Sequence, residues 1–238
     1  MTTPELDRIR AAYRERDARA TGRAWTPAYL GHLQELEWQL LAALRAAEVS
    51  LPAARVLDLG SGGGYLLHRL RELGAPDPVG IELSEDRVAR AHDRYPGLDV
   101  RAGSATDLPF DDGAFDLVTQ FTVLSSVLDD ATRRAIAGEA LRVLRPGGVL
   151  VSYDLRPSPR PLRLARRLVG GPPADAGTPT AALAVADLER LLGSPERVRL
   201  VQLNLDLAEL VGGWRPVVAA LRLLPPLRSH LLATVRKP

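Results

Sequence analysis

Four glycines fall within five positions at Gly60-Ser61-Gly62-Gly63-Gly64, directly after the apolar run Val56-Leu57-Asp58-Leu59. A chain that leaves a short buried strand through so many glycines can reverse sharply, because glycine adopts backbone angles that other residues avoid. A helical pattern follows at Tyr65–Leu73, closed by Gly74 and Pro76. Strand, tight turn and helix make the first half of a βαβ unit, and the next hundred residues repeat the alternation. The strand at Arg55–Leu59 is followed by short apolar strands at Val79–Glu82, Leu98–Ala102, Phe115–Gln120 and Val149–Asp154. Ser84 is placed to cap a helix with Glu85 and Asp86 in its first turn, and Asp130–Leu144 reads as a helix stopped by Pro146-Gly147-Gly148. Right-handed crossovers at this spacing predict an α/β fold with a doubly wound, mostly parallel sheet.

The flanks differ from this core. Leu6, Ile9 and Tyr13 share one face of a polar helix over Met1–Tyr13, and Leu33, Leu36, Leu40 and Leu44 share a face of a second helix. Thr21-Gly22 reads as the break between them, with Thr26 as N-cap and Pro27 in the first helical position. Beyond the core, residues 156–178 are rich in Pro, Gly and Arg and read as loop. A helix at Ala181–Leu192, a strand at Arg197–Leu205, a helical stretch at Val211–Leu223 and a last strand at His230–Arg236 complete the chain. The expectation is one domain over 1–238: a helical cover (1–50), a ligand-binding core (55–154) and an acceptor-side segment with the last strands (155–238).

Composition removes several function classes. With no cysteine there is no disulfide framework, thiolate nucleophile or cysteine-bound metal, and no metal site is expected. Thirty-one basic residues against 29 acidic ones leave a net charge of +2, too small for a strong nucleic-acid or membrane field. No stretch approaches the ~20 apolar residues of a membrane span. The first residues lack the apolar run of a signal peptide, so a cytoplasmic location is expected.

Two carboxylates give the glycine turn its chemistry. Asp58 stands two residues before Gly60, where a pyrophosphate-binding turn would offer N–H groups and has no use for an anion. A ligand with ammonium and sulfonium centres and no phosphate suits that position, which favours S-adenosylmethionine over nicotinamide or flavin cofactors. Glu82 ends the second strand 22 residues after Gly60, where a carboxylate can accept hydrogen bonds from both ribose hydroxyls. No Gly-Lys-Ser/Thr follows the turn, which argues against a nucleotide triphosphatase.

Five segments extend this reading: Val-Leu-Asp-Leu-Gly-Ser-Gly-Gly-Gly at 56–64, Gly-Ile-Glu-Leu-Ser at 80–84, Leu-Pro-Phe at 108–110, Phe-Asp-Leu-Val at 115–118 and Arg-Val-Leu-Arg-Pro-Gly-Gly at 142–148. In this order and spacing they resemble the class I S-adenosylmethionine-dependent methyltransferases, more narrowly the bacterial type 11 group. The resemblance covers about residues 55–154 and implies a Rossmann-like sheet, parallel except for one antiparallel C-terminal strand. It implies that the loop at Gly60, Ser61 and Gly62, with Asp58, holds the methionine end of the cofactor. Glu82 would take the ribose and Leu83 the adenine face, while Gln120 offers its backbone carbonyl to the methionine ammonium. Where the family often reads Gly-Asp-Ala this chain has Gly103-Ser104-Ala105, so Ser104, beside Ala105, takes the place of the carboxylate that accepts from the adenine amino group. A neutral hydroxyl accepts more weakly. Asp107, three residues on, is the alternative.

Methyl transfer needs the acceptor aligned within ~3–3.5 Å and water excluded, and a hydroxyl acceptor usually needs a base as well. Tyr153 and Asp154 end the fifth strand on the ligand side; His32 in the helical cover and His230 in the last strand are further candidates, and Tyr13 is placed to close over the cofactor. His68 and His92 read as surface residues. The apolar segment Leu210–Leu224, with Trp214 and Pro216, reads as a cap on the substrate side and favours a small organic acceptor over nucleic acid. Arg156, Arg160, Arg163, Arg166 and Arg167 read as a solvated face or as partners for an acidic group on the acceptor. The leading reading is thus a methyltransferase acting at O, N or C of a small molecule, in a biosynthetic role. A nicotinamide-dependent oxidoreductase would share the turn and Glu82 but not Asp58. A non-catalytic cofactor-binding protein of the same fold stays open, because no obvious base stands out. Adenosylhomocysteine is therefore expected to raise the melting temperature in a thermal-shift assay, with no comparable shift from NAD; the reverse pattern would exclude the methyltransferase reading.

Overall fold

The computed structural model describes residues 4–18, 26–157 and 179–238. Helix α1 (Pro4–Ala18) and α2 (Pro27–Ala46) precede β1 (Val56–Leu59), α3 (Tyr65–Glu72), β2 (Val79–Glu82), α4 (Glu85–Arg94), β3 (Asp99–Ala102) and β4 (Phe115–Phe121). A one-turn helix α5 (Val123–Ser126) and α6 (Asp130–Val143) lead to β5 (Leu144–Leu155). Then come α7 (Val185–Leu192), β6 (Arg197–Leu203), α8 (Leu205–Leu210), α9 (Arg215–Arg222) and β7 (Arg228–Arg236).

The seven strands form one sheet in the order β3-β2-β1-β4-β5-β7-β6. Pairs from β3 to β5 are parallel, while β7 runs antiparallel to both β5 and β6. Strand order reverses at β1, so the ends of β1, β2 and β4 open the crevice where doubly wound sheets bind ligands.

Both faces are covered, as a parallel sheet requires. Leu57, Leu59, Ile81, Val118 and Leu150 pack in one cluster with Leu6 and Ile9 of α1, Ile136 and Ala140 of α6 and Leu188 of α7. In a second cluster Val56, Leu117, Val149 and Val151 meet Leu40 and Leu44 of α2 and Leu66 and Leu70 of α3. The near-continuous burial of β1 and β5 is the reason their sequences read as apolar runs rather than alternating ones.

Several expected boundaries shift, each for a local reason. Strand β5 begins at Leu144 rather than Val149: Leu144 pairs with Phe115, and Gly147 N donates to Lys237 O while Lys237 N donates to Gly148 O. Pro146-Gly147-Gly148 is thus the strand's first stretch and not a turn. Helix α1 runs on past Tyr13 to Ala18, keeping Asp17 within reach of α4. Thr26 caps α2 as expected, its side chain accepting from Tyr29 N, whereas Ser84 makes no side-chain cap on α4. Residues 181–184 are extended, because Ala181 N donates to Ser125 O and Leu183 N to Leu155 O. Asn204 ends β6 by capping α8. The predicted helix at 211–223 is shortened to α9, since Gly212 and Gly213 both take left-handed angles, and a separate helix, α8, precedes them at Leu205–Leu210. The Thr21-Gly22 break and most of the 156–178 loop lie outside the described residues.

Among the described residues no helix is long and apolar enough to cross a membrane. Leu117 is fully buried at the centre of the sheet, so Leu117→Ala is expected to cost about 2–5 kcal/mol in urea unfolding, with the slope unchanged.

Candidate functional site

The site grows from the turn after β1. Gly60 has φ +68°, and a Cβ there would lie 2.5 Å from Val123 Cγ2, so both backbone angle and space demand glycine. Gly60 N and Ser61 N converge on Ile81 O, at 2.7 and 3.2 Å, which ties the turn to β2. Gly62, also left-handed, donates its N–H to Glu82 Oε2 at 2.8 Å, and Glu82 Oε1 accepts from Ser84 N at 2.9 Å. Glu82 is buried, with both oxygens already aligned by backbone donors. A carboxylate has about four lone-pair positions, so acceptor capacity is left for a ligand.

Beside this joint lies a cavity of about 50 Å³. Gly60, Glu82, Leu83, Ser104 and Ala105 form part of its wall, and α1 closes the opposite side with Leu6, Ile9 and Tyr13. Five sequence candidates and Tyr13 therefore meet at one place. Asp58, Ser61, Gly62 and Gln120 are not on that wall. Asp58 is only 2% exposed; Thr119 Oγ1 donates to its Oδ1 at 2.6 Å. Burial, with Glu82 nearby adding repulsion against the Thr119 bond, pushes the Asp58 carboxyl up to about 7. Ser104 Oγ is engaged with Thr106, its side chain at 2.7 Å and its backbone N at 3.2 Å, yet stays on the cavity wall, while Asp107 is exposed and off it.

The closure by α1 rests on charge pairs that sequence reasoning did not single out. Arg87 of α4, itself buried, grips Asp17 with two bonds of 3.0 and 2.8 Å, and Arg90 holds the same carboxylate. The Arg87 guanidinium lies over the Tyr13 ring at 4.0 Å, and that of Arg16 lies 4.8 Å from the same centroid. At the other end of α1, Arg8 donates to Ser126 O at 2.8 Å and Glu5 accepts from Leu128 N. Nothing in local sequence marks Asp17 and Arg87 as partners, 70 residues apart.

The acceptor-side candidates divide between the two faces of the sheet. Tyr153 stacks on His230 at 4.4 Å and on Phe121 at 5.2 Å, and His32 meets His230 edge-on at 6.0 Å. His230 is buried and held neutral, its pKa lowered to about 3 by burial and by His32. Burial likewise raises the Tyr153 phenol well above its usual value. Asp154 belongs to a separate buried group with Gln120, Ser152 and Ser125, accepting from Ser125 N at 2.8 Å; burial, against those bonds, raises it to about 6. Tyr153, His230 and His32 thus form one row of rings, and Asp154 stands apart from it. The surface reading of His68 needs correcting: its ring stacks on Tyr95 at 4.3 Å. His92 is exposed, with Nε2 2.9 Å from Val100 O. Arg156 donates to Pro225 O at 3.0 Å; Arg160, Arg163, Arg166 and Arg167 lie outside the described residues. Among the described residues no group of three or more potential ligands could hold a metal ion.

Comparison with known proteins agrees with this geometry. A family model described as a methyltransferase domain matches residues 56–148. The phthiotriol/phenolphthiotriol dimycocerosates methyltransferase of Mycobacterium tuberculosis is 38% identical over 116 residues, 48% of this chain and 42% of that protein. A ubiquinone biosynthesis O-methyltransferase from Xanthomonas campestris pv. campestris is 38% identical over 125 residues, 50% of this chain and 51% of its own length. The chain thus spans about half the length, or less, of these curated relatives. Among solved structures, geranyl diphosphate C-methyltransferase from Streptomyces coelicolor A3(2), crystallised with S-adenosyl-L-homocysteine, superposes with a TM-score of 0.68 at 14% identity, covering 100% of this chain and 99% of that one. An S-adenosylmethionine-dependent methyltransferase from Mesorhizobium loti gives 0.57 at 23% identity, over 82% and 96% of the two chains. The narrower type 11 likeness is carried by the motifs alone. With fold, turn and relatives in agreement, residues 56–148 of this chain are a methyltransferase domain of the S-adenosylmethionine-dependent class I type.

Proposed function

We propose that the chain transfers a methyl group from S-adenosylmethionine to an O, N or C atom of a small organic molecule, in a biosynthetic role. The observation that carries the cofactor half of this reading is the buried pair of carboxylates at the turn. Burial raises the Asp58 pKa, repulsion from Glu82 adds to it, and among the described residues no cation contributes to offset them. A ligand with an ammonium and a sulfonium would supply the missing positive charge. Glu82 keeps acceptor capacity for ribose hydroxyls, and Leu83 and Ala105 give an apolar wall suited to an adenine face. The residues therefore fit the cofactor in kind.

They fit it in size only with movement of α1. About 50 Å³ is well below the ~300–1,000 Å³ of most small-molecule sites. Leu6, Ile9 and Tyr13 fill the difference, and the Asp17 pairs with Arg87 and Arg90 set how firmly they stay. When bound, the cofactor supplies a methyl carbon already activated by its sulfonium. What the chain contributes is orientation through the Gly60–Gly62 turn and Glu82, and exclusion of water by α1. For a hydroxyl acceptor, His230 is a weak proton acceptor, because burial and His32 lower its pKa to about 3, whereas Asp154, raised to about 6, lies nearer the range a general base needs.

With methyl-labelled S-adenosylmethionine, label is expected in the small organic fraction of a metabolite extract; label found only in RNA, DNA or protein would contradict the acceptor class. The Asp58 shift gives a second test. A carboxyl whose folded pKa is raised stabilises the fold fully below its unfolded value of 3.8, and that contribution is lost as pH rises to about 7. The stability difference between the wild type and Asp58→Asn should therefore move against the wild type between about pH 4 and 7, as read by urea midpoints. Adenosylhomocysteine affinity should run the other way, strengthening in the wild type as pH passes 7 and flat in Asp58→Asn.

A further inference from the structure

A second, larger cavity of about 890 Å³ lies beyond the far edge of the sheet, between α2 and the α8–α9 segment. Part of its wall is apolar, with Leu30 and Trp38 of α2, Leu203 of β6 and Val218 of α9. Leu30 and Trp38 are 56% and 65% exposed there, so large apolar surface is left facing water. Among the described side chains that line the cavity, Arg215, Arg222 and Arg228 stand against the carboxylate of Glu35. Glu35 Oε2 pairs with Arg222 Nε at 2.6 Å, and its Oε1 accepts from Gln202 N at 3.3 Å. Arg228 donates to two backbone carbonyls, Arg222 O at 2.9 Å and Leu200 O, both neutral acceptors. Arg215, in the first position of α9, is exposed at the same cleft.

Gln202 marks this wall as more than a surface dent. It is a non-glycine residue at φ +60°, skipped by the ladder that joins Val201 to His230 and Leu203 to Arg228. Its side chain is buried, Nε2 donates to His32 O at 3.1 Å, and Oε1 has no partner. Backbone strain together with an orphaned buried acceptor is characteristic of ligand sites.

We propose that this cleft binds one soluble amphipathic anion: an apolar chain or ring system bearing a carboxylate, sulfonate or phosphate group. The apolar body lies on Leu30, Trp38 and Val218, and the anion is held by Arg228 and Arg215 through charge-assisted hydrogen bonds. The cleft is concave and falls within the ~300–1,000 Å³ range of single-molecule sites, which a bilayer surface would not fill.

Monomeric dodecanoate is the probe, titrated by calorimetry and by tryptophan fluorescence, with dodecanol and dodecylamine as charge controls. Saturable binding of dodecanoate is expected, about tenfold or more tighter than dodecanol, with none for the amine. Arg215→Gln, which removes an exposed charge, should weaken it several-fold. Ala219→Trp, on the cleft wall and touching none of the Arg228 bonds, should abolish it, with an unchanged melting temperature confirming the fold. Equal binding of dodecylamine, or dodecanoate binding that Ala219→Trp leaves intact, would overturn the proposal. So would binding to phosphatidylglycerol vesicles without binding of the monomer.

Discussion

The Glu82 carboxylate is the joint on which the rest of the site depends. It takes one N–H from the turn after β1 and one from the start of the segment after β2, so two loops that share no sequence are fixed to one side chain. Gly103 N adds a third loop through the Glu82 carbonyl, at 2.9 Å. Burying an anion is costly unless its oxygens are bonded, and here charge-assisted bonds offset the loss of water. An amide in this position has one acceptor oxygen and could not serve both N–H groups and a ligand in the same way. The left-handed angles at Gly60 and Gly62 belong to the same device, because only that backbone turns the Gly62 N–H toward the acid.

What could be read in advance, and what could not, follows from how local each cause is. The strand–turn–helix alternation and the sharp turn at Gly60 depend on neighbours within a few residues, so the core from β1 to β4 has nearly the ends its sequence implies, whereas Glu82 and Asp58 bond to Gly62 and Thr119 across the sheet. The beginning of β5 is not legible locally because Pro146-Gly147-Gly148 has turn composition, and only pairing with Lys237, near the far end of the chain, makes it strand. The two-helix form of 205–222 depends on Gly212 and Gly213 acting together as a break, which apolar periodicity conceals. Arg87 and Asp17 escaped notice for the same reason as Lys237. Each is an ordinary surface residue by type and takes its importance from a contact across the fold.

Helix α1 shows how such a contact couples packing to binding. Its apolar face serves as core against Leu59 and Ile136 and as one wall of the cavity beside the β1 turn, so Tyr13 packs against the core and closes the cavity at once. Two buried apolar side chains, Leu6 and Ile9, and a handful of polar contacts at its two ends hold α1, a smaller set than holds the strands beneath it, and such an element opens locally at less cost than global unfolding. The core strands beneath it, buried on both faces, give it a rigid surface to return to.

The charge pattern along the strand ends then divides the molecule's ligands. Strands β1 and β2 each carry a buried acid, Asp58 and Glu82, and the buried guanidinium of Arg87 on α4 interacts with Glu82 but not with Asp58. Beyond β7, at the far edge of the same sheet, guanidinium groups outnumber carboxylates and face an apolar hollow. Between β1 and β7 lie three strand spacings of ~4.8 Å, bridged near β4, β5 and β7 by the rings of Phe121, Tyr153 and His230. Salt screens buried charges such as Asp58 and Glu82 only weakly, so distance across the sheet, and not ionic strength, is what limits the overlap of the two fields. The cationic cofactor and the anionic amphiphile proposed above would thus each meet complementary charge at a different end of the sheet.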